Sequence, residues 1–198
     1  MPSRITIIPD GRLTAVRGVV EQRFRQAGDA VCTEGFGDFL DGPMRSVFCE
    51  ALRHAGADEG TVWLLDEARE ALVARFNNGP KAAEFVNSYR QPLRLGLISM
   101  VVAMEQPMCE NTMHENKGHD PSLPRRLGMP THAMLAVPFY FAGELRGVLS
   151  AVQVKERLPG AAGFSPEALG AWQAAGTILA GLIERRLLGD ILGLETAS

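Results

Sequence analysis

The segment 133–155 constrains this chain more than any other part of it. Two β-rich runs, Ala133–Phe141 and Glu144–Lys155, flank the dipeptide Ala142-Gly143, a loop of the length that joins neighbouring antiparallel strands. Both arms are nearly apolar, with Leu145, Val148 and Val152 among the apolar positions. A strand pair of that kind belongs in the middle of a sheet, and the remaining elements have to be arranged around it.

A second hairpin is expected from Thr61–Leu65, the polar turn Asp66–Glu70 and the alternating Leu72, Ala74 and Phe76. Leu13, Val16, Val20, Phe24 and Ala27 follow helical spacing over 11–27. Gly42-Pro43 opens another helix, with Met44, Val47, Phe48, Ala51 and Leu52 on one face and Gly56 as its stop. Short helices are expected over 81–89 and 98–105, with an extended piece at 92–95 between them. Residues 109–130 are polar, apart from a helical turn at 123–127, and a connection of that length is often functional. Ser165, Pro166 and Glu167 start a long C-terminal helix. There, Leu169, Trp172, Gly176, Leu179 and Ile183 repeat at three and four residues, while Ala168, Ala175, Ile178 and Leu182 widen the apolar arc beyond one contact surface. The expected use of the stripe is a seam in a homodimer formed through the first and last helices. The order of elements is mixed α and β.

Composition narrows the function. The chain has 198 residues, 46% of them apolar, enough for one domain with a real core. Its formal charge is −3 and no Lys/Arg run exceeds two, so neither nucleic acid nor an anionic membrane is an expected partner. The start, MPSRITIIPDGR, reads as neither a secretory signal nor a membrane span, and a cytoplasmic location is expected. Cys32, Cys49 and Cys109 are odd in number and widely spaced, which fits reduced thiols.

Several side chains are candidates for chemistry. Trp63, Phe76, Tyr89 and Tyr140 could wall an apolar pocket, or be ordinary core. Ser99 stands at the start of an apolar helix whose free N–H groups could receive an anion. Cys109, followed by Glu110 and Asn111, could be a redox thiol or an inert one. Cys109, His114, His119 and His132 are metal-ligand types within 24 residues, but their spacing matches no compact zinc pattern. Solvated loop residues would look the same.

Taken in order, Gly56–Asp66 (GADEGTVWLLD), Ala136-Val137-Pro138-Phe139, Gly143–Leu149 (GELRGVL), and Phe164-Ser165-Pro166-Glu167 leading to Ile183-Glu184-Arg185-Arg186 resemble the GAF domain family of small-molecule sensors. The likeness covers residues 40–188, leaving 1–39 as an N-terminal extension with an amphipathic helix and 189–198 as a tail. It implies an α+β, GAF/PAS-like fold: a central antiparallel sheet of five or six strands, terminal helices on one face and a ligand pocket on the other. The implied pocket would draw on Trp63, Phe76, Tyr89, Ser99, Cys109, Asn111, His132 and Tyr140. The resemblance also implies a regulatory role, with a shift in the terminal helices passed to a partner protein, and no enzyme. Two subtypes are not expected. The cyclic-nucleotide subtype carries Asn-Lys and then Phe-x-x-x-Asp-Glu, whereas this chain keeps Lys155 and Phe164 but has Val154, Ala168 and Leu169, so cyclic GMP is not expected. Bilin-binding members follow their cysteine with histidine, and here Glu110 follows Cys109, so covalent bilin is not expected either. Members that reduce free methionine sulfoxide cluster cysteines in pocket loops, where only Cys109 lies. A ligand-free dimerisation or interaction module, and thiol or metal redox chemistry at Cys109, remain the alternatives.

Overall fold

The computed structural model describes residues 10–116, 118, 120–154 and 163–194. Six strands, β1 (Glu59–Leu65), β2 (Ala71–Asn77), β3 (Arg90–Pro92), β4 (Met108–Glu110), β5 (Thr131–Phe141) and β6 (Glu144–Val154), form one sheet in the order β3-β2-β1-β6-β5-β4. Every neighbouring pair is antiparallel. The hairpin of β5 and β6 is central as expected: β6 pairs with β1 on one side and β5 on the other. Its turn needs positive φ at both Ala142 (52°) and Gly143 (76°), the conformation of the tight turns that match strand twist. An alanine there is mildly strained.

Among the described residues seven helices cover the sheet: α1 (Gly11–Val31), α2 (Phe36–Phe39), α3 (Gly42–Ala55), α4 (Ala82–Phe85), α5 (Leu97–Met104), α6 (Ser122–Leu127) and α7 (Pro166–Leu192). Sequence accounts for their ends. The Asp41 side chain accepts from Met44 N and left-handed Gly56 closes α3, while Ser165 accepts from Ala168 N and Gly193 closes α7. One core lies between the sheet and α3 and α7, with Phe48 edge-on to both Phe76 and Trp172 at 5.3 and 5.4 Å. The second lies on the opposite face, where Trp63, Leu72, Ala136 and Val148 pack with Phe85, Ile98, Val101 and Leu127.

The expected fold holds and four details change. The helix expected over 81–89 is only α4, because the chain turns at Asn87 (φ 63°) into edge strand β3. The polar connection 109–130 begins as edge strand β4, paired with β5. Only the C-terminal part of α1 docks, through Phe24, Ala27, Gly28 and Val31, leaving Leu13, Val16 and Val19 exposed. The stripe expected as a dimer seam on α7 faces inward instead. Trp172, Gly176, Leu179 and Ile183 are buried, with Leu169 packed beside them, because the sheet takes the face with the most apolar residues. Trp172 Nε1 donates to Leu149 O (3.2 Å), and a Cβ at Gly176 would stand 3.1 Å from the Leu149 side chain.

Candidate functional site

Alternation along the strands builds the site. Glu59, Thr61 and Trp63 of β1 project to one face of the sheet, beside Ser150, Val152 and Val154 of β6, while Val62 and Leu64 enter the helix-side core. Asn77, Thr131 and Met134 continue this wall across β2 and β5. Phe85, Tyr89, Gln91, Ile98, Asp120, Leu123 and Leu127 come over it from the chain outside the sheet centre. Between wall and cover lies a cavity of about 100 Å³. Pockets for drug-sized molecules run to roughly 300–1,000 Å³, so an occupant here is small.

Most polar groups of the cavity are held in place by the protein. Trp63 Nε1 donates to Ser150 Oγ (2.9 Å). Asn77 Nδ2 donates to Gly60 O (2.9 Å) and Thr61 Oγ1 (3.0 Å). The Tyr89 hydroxyl donates to Gln91 Oε1 (3.1 Å), and Gln91 Nε2 donates to Leu95 O (2.8 Å) and Asp120 Oδ2 (3.1 Å). Tyr89 keeps its proton, since burial and then Asp120 push its pKa up. Glu59 is the exceptional member: a carboxylate only 9% exposed. Burial raises its pKa above the usual carboxylate range, against smaller downward pulls from the Asn77 side chain and Lys81. The cover is pinned to itself by two contacts. The Lys81 ammonium bonds Leu127 O, and Arg126 Nη2 donates to Glu84 O at 2.9 Å.

Two of the eight residues expected to form the pocket, Trp63 and Tyr89, line this cavity. Phe76 is turned into the opposite core by its place in β2. Ser99 is buried one residue beyond the lining, its hydroxyl donating to Pro92 O at 3.0 Å. The Cys109 thiol and Asn111 are directed at Phe164, before α7, where Asn111 Nδ2 donates to Phe164 O at 3.0 Å. Desolvation and then Glu110 push the Cys109 thiol up, the reverse of what a reactive thiolate needs. His132 is half-buried outside the lining, and Tyr140 is exposed with its hydroxyl on Glu105. Among the described residues no group of three or more His, Cys, Asp or Glu side chains could hold a metal ion. His114 pairs loosely with Glu115 (3.5 Å), and His119 lies outside the described residues. Of the lining residues that sequence reasoning missed, Glu59, Thr61, Asn77 and Ser150 share one signal, polar positions within apolar strands, whereas Gln91 and Asp120 lie in polar surroundings that carry none.

No described helix is long and apolar enough to cross a membrane. No curated protein sequence matches the chain. Solved structures do match in fold. The GAF domain of a phosphoenolpyruvate-protein phosphotransferase from Coxiella burnetii superposes with a TM-score of 0.59 at 19% identity, over 89% of this chain and 97% of that one. The type II free methionine-R-sulfoxide reductase from Thermoplasma acidophilum gives 0.57 at 19%, over 75% and 94%. The second GAF domain of DevS from Mycobacterium smegmatis gives 0.55 at 24%, over 72% and 91%. The family model of the GAF domain, commonly a sensory or regulatory module, matches residues 40–183, and the chain belongs to the GAF domain family.

Proposed function

We propose that this chain is a sensor module that takes a small molecule into the cavity between β1, β6 and the α4–α6 cover, and signals through its terminal helices to a partner. The observation that carries the reading is the cavity itself: polar groups set in an apolar, aromatic-walled space on the sheet face opposite α1, α3 and α7. A ligand bridging wall and cover would add contacts that exist only when the cover is closed, and so favour that state. Because β1 and β6 carry the cavity on one face and the Phe48–Trp172 core on the other, a shift in the wall is felt by α3 and α7.

Native mass spectrometry of the freshly isolated protein, paired with hydrogen exchange before and after ligand removal, tests the reading. Expected are a stoichiometric bound mass and slower exchange in 81–92 and 120–130 when it is present. Protein that carries no mass, and whose cover exchanges identically with and without an added metabolite extract, refutes it.

A second copy of the chain is the partner we assign to the outer face of α1, where Leu13, Val16 and Val19 are exposed. This observation also favours the reading as an interaction module. Light scattering on Val16→Glu, Val19→Glu protein is expected to show a dimer converted to monomer. A monomeric wild-type protein overturns the assignment.

A further inference from the structure

We propose that the cavity takes a small organic cation, an amine or quaternary ammonium, held by Glu59 and Asp120 and against the rings of Trp63 and Tyr89. This rests on the reading of the cavity as a ligand pocket and names the class of ligand. Among the described residues that line the cavity, Glu59 and Asp120 are the charged ones, and both are acids. The cation nearest in effect, Lys81, does not line the cavity and spends its ammonium on the Leu127 carbonyl. Besides Lys81, the neighbours that act on the buried Glu59 carboxylate are a neutral amide, Asn77, and a second acid, Asp58. A desolvated anion of this kind is a cost that an opposite charge relieves, and an anionic ligand would add to it.

The aromatic lining fits the same ligand. Trp63 meets Tyr89 at 73° with centroids 6.1 Å apart, and the Phe85 ring lies 6.4 Å from that of Trp63. Rings set at an angle around a small space offer negative faces to a cation, and the attraction grows where water is excluded. The space of about 100 Å³ suits a compact head group and leaves no room for a nucleotide. A side chain at Gly79 would collide with the Glu59 carboxylate, so the glycine leaves that carboxylate its place.

Three isosteric probes separate charge from shape: choline, its neutral analogue with carbon in place of nitrogen, and trimethylacetate. The two tryptophan indole signals supply the readout, because Trp63 Nε1 bonds Ser150 on the cavity wall while Trp172 Nε1 bonds Leu149 O in the other core. Choline is expected to move the Trp63 signal and leave that of Trp172, binding at least about tenfold tighter than the neutral analogue. Glu59→Gln with Asp120→Asn is expected to bring choline to the level of the analogue with spectral dispersion retained. Asp120→Asn alone, at the half-buried rim, carries the comparison if the double variant unfolds. Equal or tighter binding of the neutral or anionic probe overturns the cation assignment and leaves the pocket reading standing. If no probe moves Trp63 at tens of millimolar the cation assignment falls, and the bound-mass measurement decides the pocket reading by itself.

Discussion

Replacing Arg146 with methionine should release α1 from the domain. The Arg146 side chain is 3% exposed and reaches three elements. Nη2 donates to Arg25 O at 3.0 Å inside α1, Nε donates to Phe141 O at 3.3 Å at the end of β5, and Nη1 pairs with Asp29 and, at 3.6 Å, with Glu144. Methionine keeps much of the stem and loses the guanidinium. The ion pair itself contributes only about 0–1 kcal/mol, because the Asp29 side chain is 68% exposed and returns to water when its partner goes. The two carbonyls matter more. Each bond from a charged donor is worth about 1.5–3 kcal/mol, less for the longer one to Phe141 O and for the part-buried one to Arg25 O, so the total loss is roughly 2–4 kcal/mol. At about 2–4 °C per kcal/mol for a chain of this size, Tm should fall by roughly 5–15 °C. Urea unfolding reads the stability, and hydrogen exchange along 11–31 reads the release of α1. Asp29→Asn, which removes only the ion pair, is the control and should cost less than about 1 kcal/mol. Equal losses in the two variants, or α1 amides as protected in Arg146→Met as in the parent, would refute the reasoning.

Two further outcomes follow from single side chains. The pKa of Glu59 is raised by burial, so the ionised form is the one that folding penalises. That penalty is complete above the folded pKa and vanishes as pH falls towards the ordinary value of 4.5. Glu59→Gln is therefore expected to stabilise the ligand-free protein at neutral pH, with the difference closing in acid; urea midpoints at several pH values measure it, and a destabilised variant at neutral pH contradicts the burial argument. The Cys32 thiol donates to Gly28 O (3.1 Å) and its pKa is pushed up to about 11, mainly by burial. Mass mapping after brief iodoacetamide treatment at neutral pH should find exposed Cys49 modified first and Cys32 last, and equal labelling of the two in native protein contradicts this.

The fold was legible in the sequence because the strongest local signals agreed with the tertiary solution. Gly143, Gly42-Pro43 with its stop at Gly56, and the Ser165 cap act within a few residues of themselves. The edge strands β3 and β4 were not legible. At three residues each they carry too little pattern, and pairing with β2 and β5 alone makes them strands. On α7, periodicity located an apolar stripe but could not say whether a sheet or a second chain would take it. Burial of Trp172 against Phe48 answers that question, and it leaves α1, the other helix expected to dimerise, with Leu13, Val16 and Val19 exposed.

The candidate site was less legible because its chemistry is distributed by register. Glu59 and Asp120 are far apart in sequence. They reach one cavity because β1 pairs with β6 while the segment before α6 folds back over the sheet and is held by Gln91. A cluster read along the chain, such as Cys109 to His132, is instead spread by strand alternation and by the exposed turn that follows β4. In β1 the polar Glu59 and Thr61 alternate with Gly60 and Val62 inside a strand that is buried throughout. Gly60 is needed on the helix side, where a Cβ would stand 2.8 Å from Phe48 and 2.7 Å from Leu52, so the helices approach closely on that side. The polar residues of a strand buried on both faces need partners on the other side. A carboxylate in that position is an expensive residue to bury, and a cationic ligand is the occupant that would make its burial favourable.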